Sequence, residues 1–302
     1  MEKSTSPTPS REPGIELFRI AAMLLIVLLH VLGQGGVSAS TEYLSLNYKI
    51  VWLLRTVAYC SVNCYALISG FVGVRSRFRF RKIVYLWLEV AFITLSTTLL
   101  FSIFSPDFVT SEDWIKAAFP LTMREFWYFN AYTLMFPFLP LLNKGLLSLS
   151  RRQHLTMMGF LFVTTTILPI LGDRDIFELS GGYSCIWLMV LYIFGAYFRL
   201  HGIPKFANTA VCLAVFLVAT WIPWAQKIEI LPWGEAGALI KYTSPFMVIM
   251  ALCLLLLFAR IQIRRKVPLS VITQNRENGS GDKQKAHHRQ VLTARKREKS
   301  LV

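Results

Sequence analysis

IELFRIAAMLLIVLLHVLG, residues 15–33, is apolar throughout except for Glu16, Arg19 and His30. A helix rises about 1.5 Å per residue, so a stretch of this length matches a hydrocarbon core about 30 Å thick. Lipid offers no partner for backbone N–H and C=O groups, so the segment must pair them internally, as a helix. Similar blocks recur near 50–74, 83–104, 126–142, 155–171, 183–200, 206–224 and 245–261. The pattern predicts an all-α, polytopic transmembrane helix bundle of about eight spans. A membrane β-barrel would show short alternating segments instead, and the sequence has none.

The loop charges test that count independently. With the N-terminus inside, the inside loops hold the run Arg75, Arg77, Arg79, Arg81 and Lys82, then Lys144, Arg151, Arg152, Arg199 and Lys205. Between the spans these inside loops carry no acid. The outside loops hold Lys49, Lys116, Arg124, Arg174, Lys227 and Lys241, together with acids such as Asp107, Glu112, Asp113, Asp173, Asp175 and Glu178. Basic residues collect on the cytoplasmic side, so both termini are expected there. Trp52, Trp114, Trp127, Tyr128, Trp221 and Trp224 fall near the flanks of spans, where amphipathic rings settle at the headgroups.

The chain has 302 residues, 54% of them hydrophobic, and a net charge of +15. That charge belongs mostly to the inside loops and to the polar, basic stretch after Lys266. Without an aromatic-lined soluble module it is a poor argument for nucleic-acid binding. Residues 1–14 are polar and contain Pro7, Pro9 and Pro13, so the first apolar block reads as a retained helix following a short cytoplasmic segment. Residues 15–262 form the membrane domain. Residues 263–302 read as a disordered cytoplasmic tail, suited to anionic headgroups. The five cysteines form no CxxC pair or Cys/His cluster with metal spacing, so no metal is expected. Cys60 and Cys64 share a helix face and read as small packing residues.

Ionisable groups inside a bilayer are costly and mark function by default. Arg19 and His30 are eleven residues apart, hence on one helix face and about 16 Å apart along the axis. A cation at the cytoplasmic mouth and a titratable base near the outer end suit a long anionic ligand, its phosphate at Arg19 and its reactive end at His30. An interfacial arginine and a helix-ending histidine would read the same way. Arg55 enters the second span at a depth similar to His30, where it either faces an outer substrate or snorkels outward. The Arg75–Lys82 run serves phosphate binding or topology alone. Glu16 pairs most simply with Arg19, and Glu89 with one of the loop arginines. Pro137, Pro140 and Pro169 interrupt their spans and open space between helices.

At this point the residues match a known pattern. Glu16-Leu-Phe-Arg19 followed by His30 resembles the first helix of the membrane-bound acyltransferase-3 family. Ser61-Val-Asn-Cys-Tyr-Ala-Leu-Ile-Ser-Gly-Phe71 is similar to its second helix, and the Arg75–Lys82 run to its cytoplasmic arginine cluster. Trp127-Tyr128 with Pro137-Phe-Leu-Pro140 is similar to the fourth span. Gly182-Tyr-Ser-Cys-Ile-Trp187 through Gly195-Ala-Tyr197 is similar to the sixth. The resemblance spans roughly residues 12–262.

It implies an O-acyltransferase of the plasma (inner) membrane. Such an enzyme carries an acyl group, acetyl first among them, from cytoplasmic acyl-CoA to a hydroxyl of a cell-envelope carbohydrate. His30 would be the catalytic base. Arg19, Arg75, Arg77, Arg79, Arg81 and Lys82 would hold the CoA phosphates, and Arg55, Trp127 and Tyr128 the acceptor. The family adds two further spans, with a Leu-Ile-His-like motif, where this chain carries its basic tail. The expectation is therefore an incomplete bundle, and an inactive family member stands as an alternative. A transporter of envelope precursors is another. It would show mid-bilayer polar groups on several helices and an internal repeat, which the sequence lacks.

Overall fold

A computed structural model describes residues 12–123, 126–172 and 174–261. Arg124, Asp173, the first eleven residues and the 263–302 tail lie outside the described residues. Every regular element among the described residues is helical. Five helical runs are long and apolar enough to cross a membrane: Pro13–Gly33, Leu46–Gly73, Arg81–Phe104, Arg151–Gly172 and Thr209–Lys227. Two further apolar helices, Cys185–His201 and Pro245–Phe258, are shorter.

Local chemistry sets the boundaries. Helix α1 (Pro13–Gly33) starts on a proline, which has no N–H to leave unpaired, and carries Glu16 in its first turn. Helix α2 (Leu46–Tyr59) starts four residues earlier than the hydropathy suggests, because the Ser45 hydroxyl accepts from the Tyr48 N–H at 3.2 Å. Trp52 therefore sits within the helix, not at a flank. After a break at Cys60 the chain continues as α3 (Ser61–Gly73).

Helix α4 (Arg81–Phe104) packs mainly on the short α5 (Ser111–Ala118). At its start Thr110 and Asp113 form a reciprocal capping box, and the Thr110 hydroxyl and N–H hold the Asp113 carboxyl below its usual range. Glu89 is exposed on α4 and enters no ion pair among the described residues, so the expected pairing with a loop arginine is not made.

The fourth predicted span is broken. Helix α6 (Trp127–Met135) passes through a 3-10 turn at Phe136–Phe138 into α7 (Leu139–Ser148). Pro137 and Pro140 each lack an N–H to donate and crowd the preceding turn. Helix α8 (Arg151–Phe162) runs through a π-helical stretch, Val163–Ile167, into α9 (Leu168–Gly172). Pro169 follows the widened turn, and the Thr165 and Thr166 hydroxyls donate back to Leu161 and Phe162 carbonyls at 2.6 and 2.5 Å.

Helices α10 (Cys185–His201) and α3 form the centre of the bundle, both largely buried. Their backbones meet at glycines. A Cβ on Gly70 would lie 2.0 Å from the Tyr192 carbonyl oxygen, and one on Gly195 2.0 Å from that of Leu67. Small residues allow this approach, which in lipid replaces hydrophobic exclusion as the source of helix association. Asn143 ties α7 to the same seam. It donates to the Gly73 carbonyl at 3.2 Å and accepts from the Tyr192 hydroxyl at 2.7 Å.

Buried His154 donates through Nε2 to the Ile193 carbonyl at 3.1 Å, joining α8 to α10. Helix α1 packs on α2 and α3, and α11 (Thr209–Lys227) on α2 and on α12 (Pro245–Phe258). The outward faces are strongly apolar, with Leu24, Val27, Phe92 and Phe104 more than half exposed. So much exposed apolar surface fits lipid, not water.

Candidate active site

A stripe along α1 faces one cavity. Met23, Ile26, His30 and Gly33 repeat at three- and four-residue intervals and therefore share a side of the helix. The cavity has a volume of about 900 Å³, within the range of small-molecule sites. Arg55, Tyr59, Val62 and Tyr65 of α2 and α3 form the opposite wall, and Phe126, Trp127 and Tyr128 close a side at the start of α6. Two loop tyrosines, Tyr183 and Tyr242, complete it.

The imidazole of His30 has a defined tautomer. Its Nδ1 lies 2.8 Å from the Ile26 carbonyl, which only accepts, so Nδ1 carries the proton. In the neutral ring Nε2 then holds the lone pair.

Arg55 is held from three sides. Its Nη1 donates to the Ser38 hydroxyl at 2.8 Å, and its guanidinium carbon lies 4.4 Å from the Trp52 ring centroid. Its Nη2 rests against Gly33, where a Cβ would stand 3.5 Å away. Gly33 is one turn beyond His30, so the guanidinium lies beside the end of the helix that carries His30. Its Nε is buried without a partner among the described residues. A buried donor left unpaired is costly unless something else takes it.

The aromatic residues form a box. Trp127 lies 4.5 Å from Tyr183 and 5.6 Å from Tyr242, measured between ring centroids, and Tyr242 lies 4.7 Å from Tyr59 and 5.0 Å from Tyr183. Trp127 and Tyr128 thus face the cavity, not a headgroup belt. Such rings combine an apolar face with a polar tip.

Asn63 holds the box in place, fully buried in α3. Its amide donates to the Tyr242 carbonyl at 2.8 Å and accepts from the Trp187 indole at 3.2 Å. Asn63→Leu strands both partners, and each buried unpaired group costs about 1–3 kcal/mol. The expected result is a melting temperature in detergent well below wild type, with a weaker acceptor interaction. An unchanged melting temperature would show that the Asn63 bonds do not hold the loop.

The structure brings together four of the residues singled out in the sequence: His30, Arg55, Trp127 and Tyr128. Arg19 does not line the cavity. It pairs with Glu16 at 2.7 Å, and its carbonyl accepts from the hydroxyl of Tyr65, a cavity residue, at 3.0 Å. It therefore sits just beyond the cavity's edge, on the same α1 stripe. Arg75, Arg77 and Arg79 on the α3–α4 connection, and Arg81 and Lys82 at the start of α4, are exposed and do not line the cavity.

Sequence reasoning missed Asn63, Tyr59, Tyr183 and Tyr242. An asparagine inside an apolar span was a usable signal for the first. The two loop tyrosines come from segments about sixty residues apart, and only the fold unites them. No group of three or more His, Cys, Asp or Glu residues that could hold a metal is found among the described residues.

The helical membrane protein thus gathers an imidazole, a guanidinium and an aromatic box in one cavity. The family model described as an acyltransferase domain matches residues 12–275. The chain belongs to the acyltransferase-3 family of membrane proteins, whose chemistry is acyl transfer. Searches of curated proteins and of solved structures return no match.

Proposed function

We propose that the chain is a multi-pass O-acyltransferase of the plasma membrane, moving an acetyl or similar acyl group from cytoplasmic acyl-CoA to a hydroxyl of an envelope carbohydrate. The catalytic unit is residues 15–262, with eight spans and both termini cytoplasmic. The observation that carries this reading is the cavity shared by His30, Arg55 and the aromatic box.

In the reaction, His30 Nε2 takes the proton from the acceptor hydroxyl as its oxygen attacks the thioester carbonyl. Arg55 offers N–H donors to the negative charge developing on that carbonyl oxygen. As the carbon–sulfur bond breaks, His30 returns the proton to the departing thiolate, leaving an ester and free thiol. Trp127, Tyr128, Tyr183 and Tyr242 hold the sugar against the base. Arg19 and the Arg75–Lys82 run hold the CoA phosphates at the cytoplasmic side.

The test is transfer of label from acetyl-CoA to envelope carbohydrate in membranes containing the protein. Label in the carbohydrate, absent from membranes without the chain, is expected. Abundant protein with no labelled carbohydrate would sink the reading. Carbohydrate movement into vesicles without acyl-CoA would replace it with a transporter.

A further inference from the structure

We propose that a second cavity, on the far side of the Tyr242 wall, is a binding site for a phosphate-type oxyanion. It has a volume of about 350 Å³ and is lined by Thr166, Arg174, Asp175, Lys241, Thr243 and Ser244, among others. The two cavities share a wall. Tyr242 faces the His30 cavity, whereas its neighbours Lys241 and Thr243 line the second. In the same way Tyr183 lines the first and Gly181 the second.

The wall is built tightly. Gly182, at φ +103°, packs so closely that a Cβ would stand 2.5 Å from that of Tyr242. Glu178 and Ser180 take positive φ in the same turn. Non-glycine residues held there carry strain that tends to collect at binding sites. The π-helical turn bearing Thr166 is a second irregularity of that kind.

The lining favours an anion. Arg174 and Lys241 are both exposed into the site's opening, and neither enters an ion pair among the described residues. They outnumber the one carboxylate of the lining, Asp175, whose oxygens accept from the Leu179 N–H at 2.8 Å and the Gly181 N–H at 3.3 Å. Ser244 is 2% exposed, and its hydroxyl has no partner among the described residues. It is the N-cap of α12 yet makes no capping bond; Pro245 has no N–H, and those of Phe246 and Met247 have no side-chain acceptor among the described residues. Two cations, an unpartnered hydroxyl and a helix N-terminus are the groups that recognise a phosphate oxygen. The ligand could be a sugar phosphate or a lipid headgroup, which present the same chemistry.

The experiment is equilibrium binding of labelled inorganic phosphate to the full chain in phosphatidylcholine nanodiscs. Saturable binding is expected in the wild type. In the Arg174→Gln/Lys241→Gln variant, whose side chains are exposed, the Kd should rise at least about tenfold. Ser244→Ala should weaken binding by less. Displacement by glucose 1-phosphate supports a sugar phosphate, and displacement by short-chain phosphatidylglycerol supports a headgroup. No saturable binding in the wild type, equal binding in the double variant, or displacement by neither competitor overturns the proposal. Binding is read without acyl transfer, so failure here leaves the proposed reaction untouched.

Discussion

His30→Ala is expected to lower acyl transfer by about 10²–10⁴-fold, the usual contribution of a positioned general base, while the protein still inserts and folds. The side chain is exposed to the cavity, and its only hydrogen bond among the described residues is to Ile26 of its own helix. Its removal therefore costs no tertiary bond. The deciding comparison is His30→Gln, which keeps the size and polarity of the ring but accepts no proton at a useful pKa. A base requires both variants to fail equally, with the loss in kcat and little change in KM for the acceptor. The measurement is label transfer from acetyl-CoA, normalised to monodisperse protein on size exclusion. His30→Gln within a few-fold of wild type would assign the residue to packing, and would leave Arg55 and the aromatic box to explain the cavity.

The same comparison separates His30 from Arg55. Arg55 is tied to Ser38, Trp52 and the backbone beside Gly33. Its substitution disturbs the connection between α1 and α2 as well as any oxyanion contact. A rate loss there reads as chemistry only if stability is unchanged, whereas a loss at His30 has no such competing cause.

Both residues were legible in the sequence for the same reason. A charge or imidazole in an apolar block is expensive and stands out, and for His30 the eleven-residue spacing from Arg19 fixed the helix face it shares with that arginine. The apolar blocks predicted the long apolar helices among the described residues, but not the short, polar α5, which lies between two of them. What the blocks did not reveal is how the helices begin and break. Ser45 starts α2 early through one side-chain bond, and Val163–Ile167 widens into a π turn before Pro169. Such details depend on individual hydrogen bonds, not on mean hydropathy. The outer wall was the least legible part. Tyr183 and Tyr242 lie in loops with no periodicity, and they meet because Asn63 and Gly182 pin those loops together. The role of Asp175 is of the same kind, since its carboxylate bonds backbone N–H groups four and six residues ahead.

Gly195→Leu should abolish the folded bundle. Helices α3 and α10 are both largely buried, and the distance between them is set by backbone contact. A Cβ at 195 would meet the Leu67 carbonyl oxygen at 2.0 Å and the Phe71 nitrogen at 3.0 Å. Backbone atoms on a packed helix cannot rotate away as a flexible side chain would, so the helices must part along the whole seam. Parting them unseats Asn63 and Asn143, whose bonds cross it, and leaves polar groups unpaired where no water replaces the lost partners. Overpacking alone costs about 1–3 kcal/mol, and the stranded polar groups raise the total beyond about 4 kcal/mol, where substitutions become exceptional. The expected observation is loss of the monodisperse peak on fluorescence-detected size exclusion in mild detergent. Gly159→Leu is the control, because a Cβ there meets nothing within 4 Å, and it should leave the peak intact. A Gly195→Leu protein that elutes and melts like wild type would show that α3 and α10 are not in backbone contact. The placement of Val62 and Tyr65 in the His30 cavity would then have to be rebuilt.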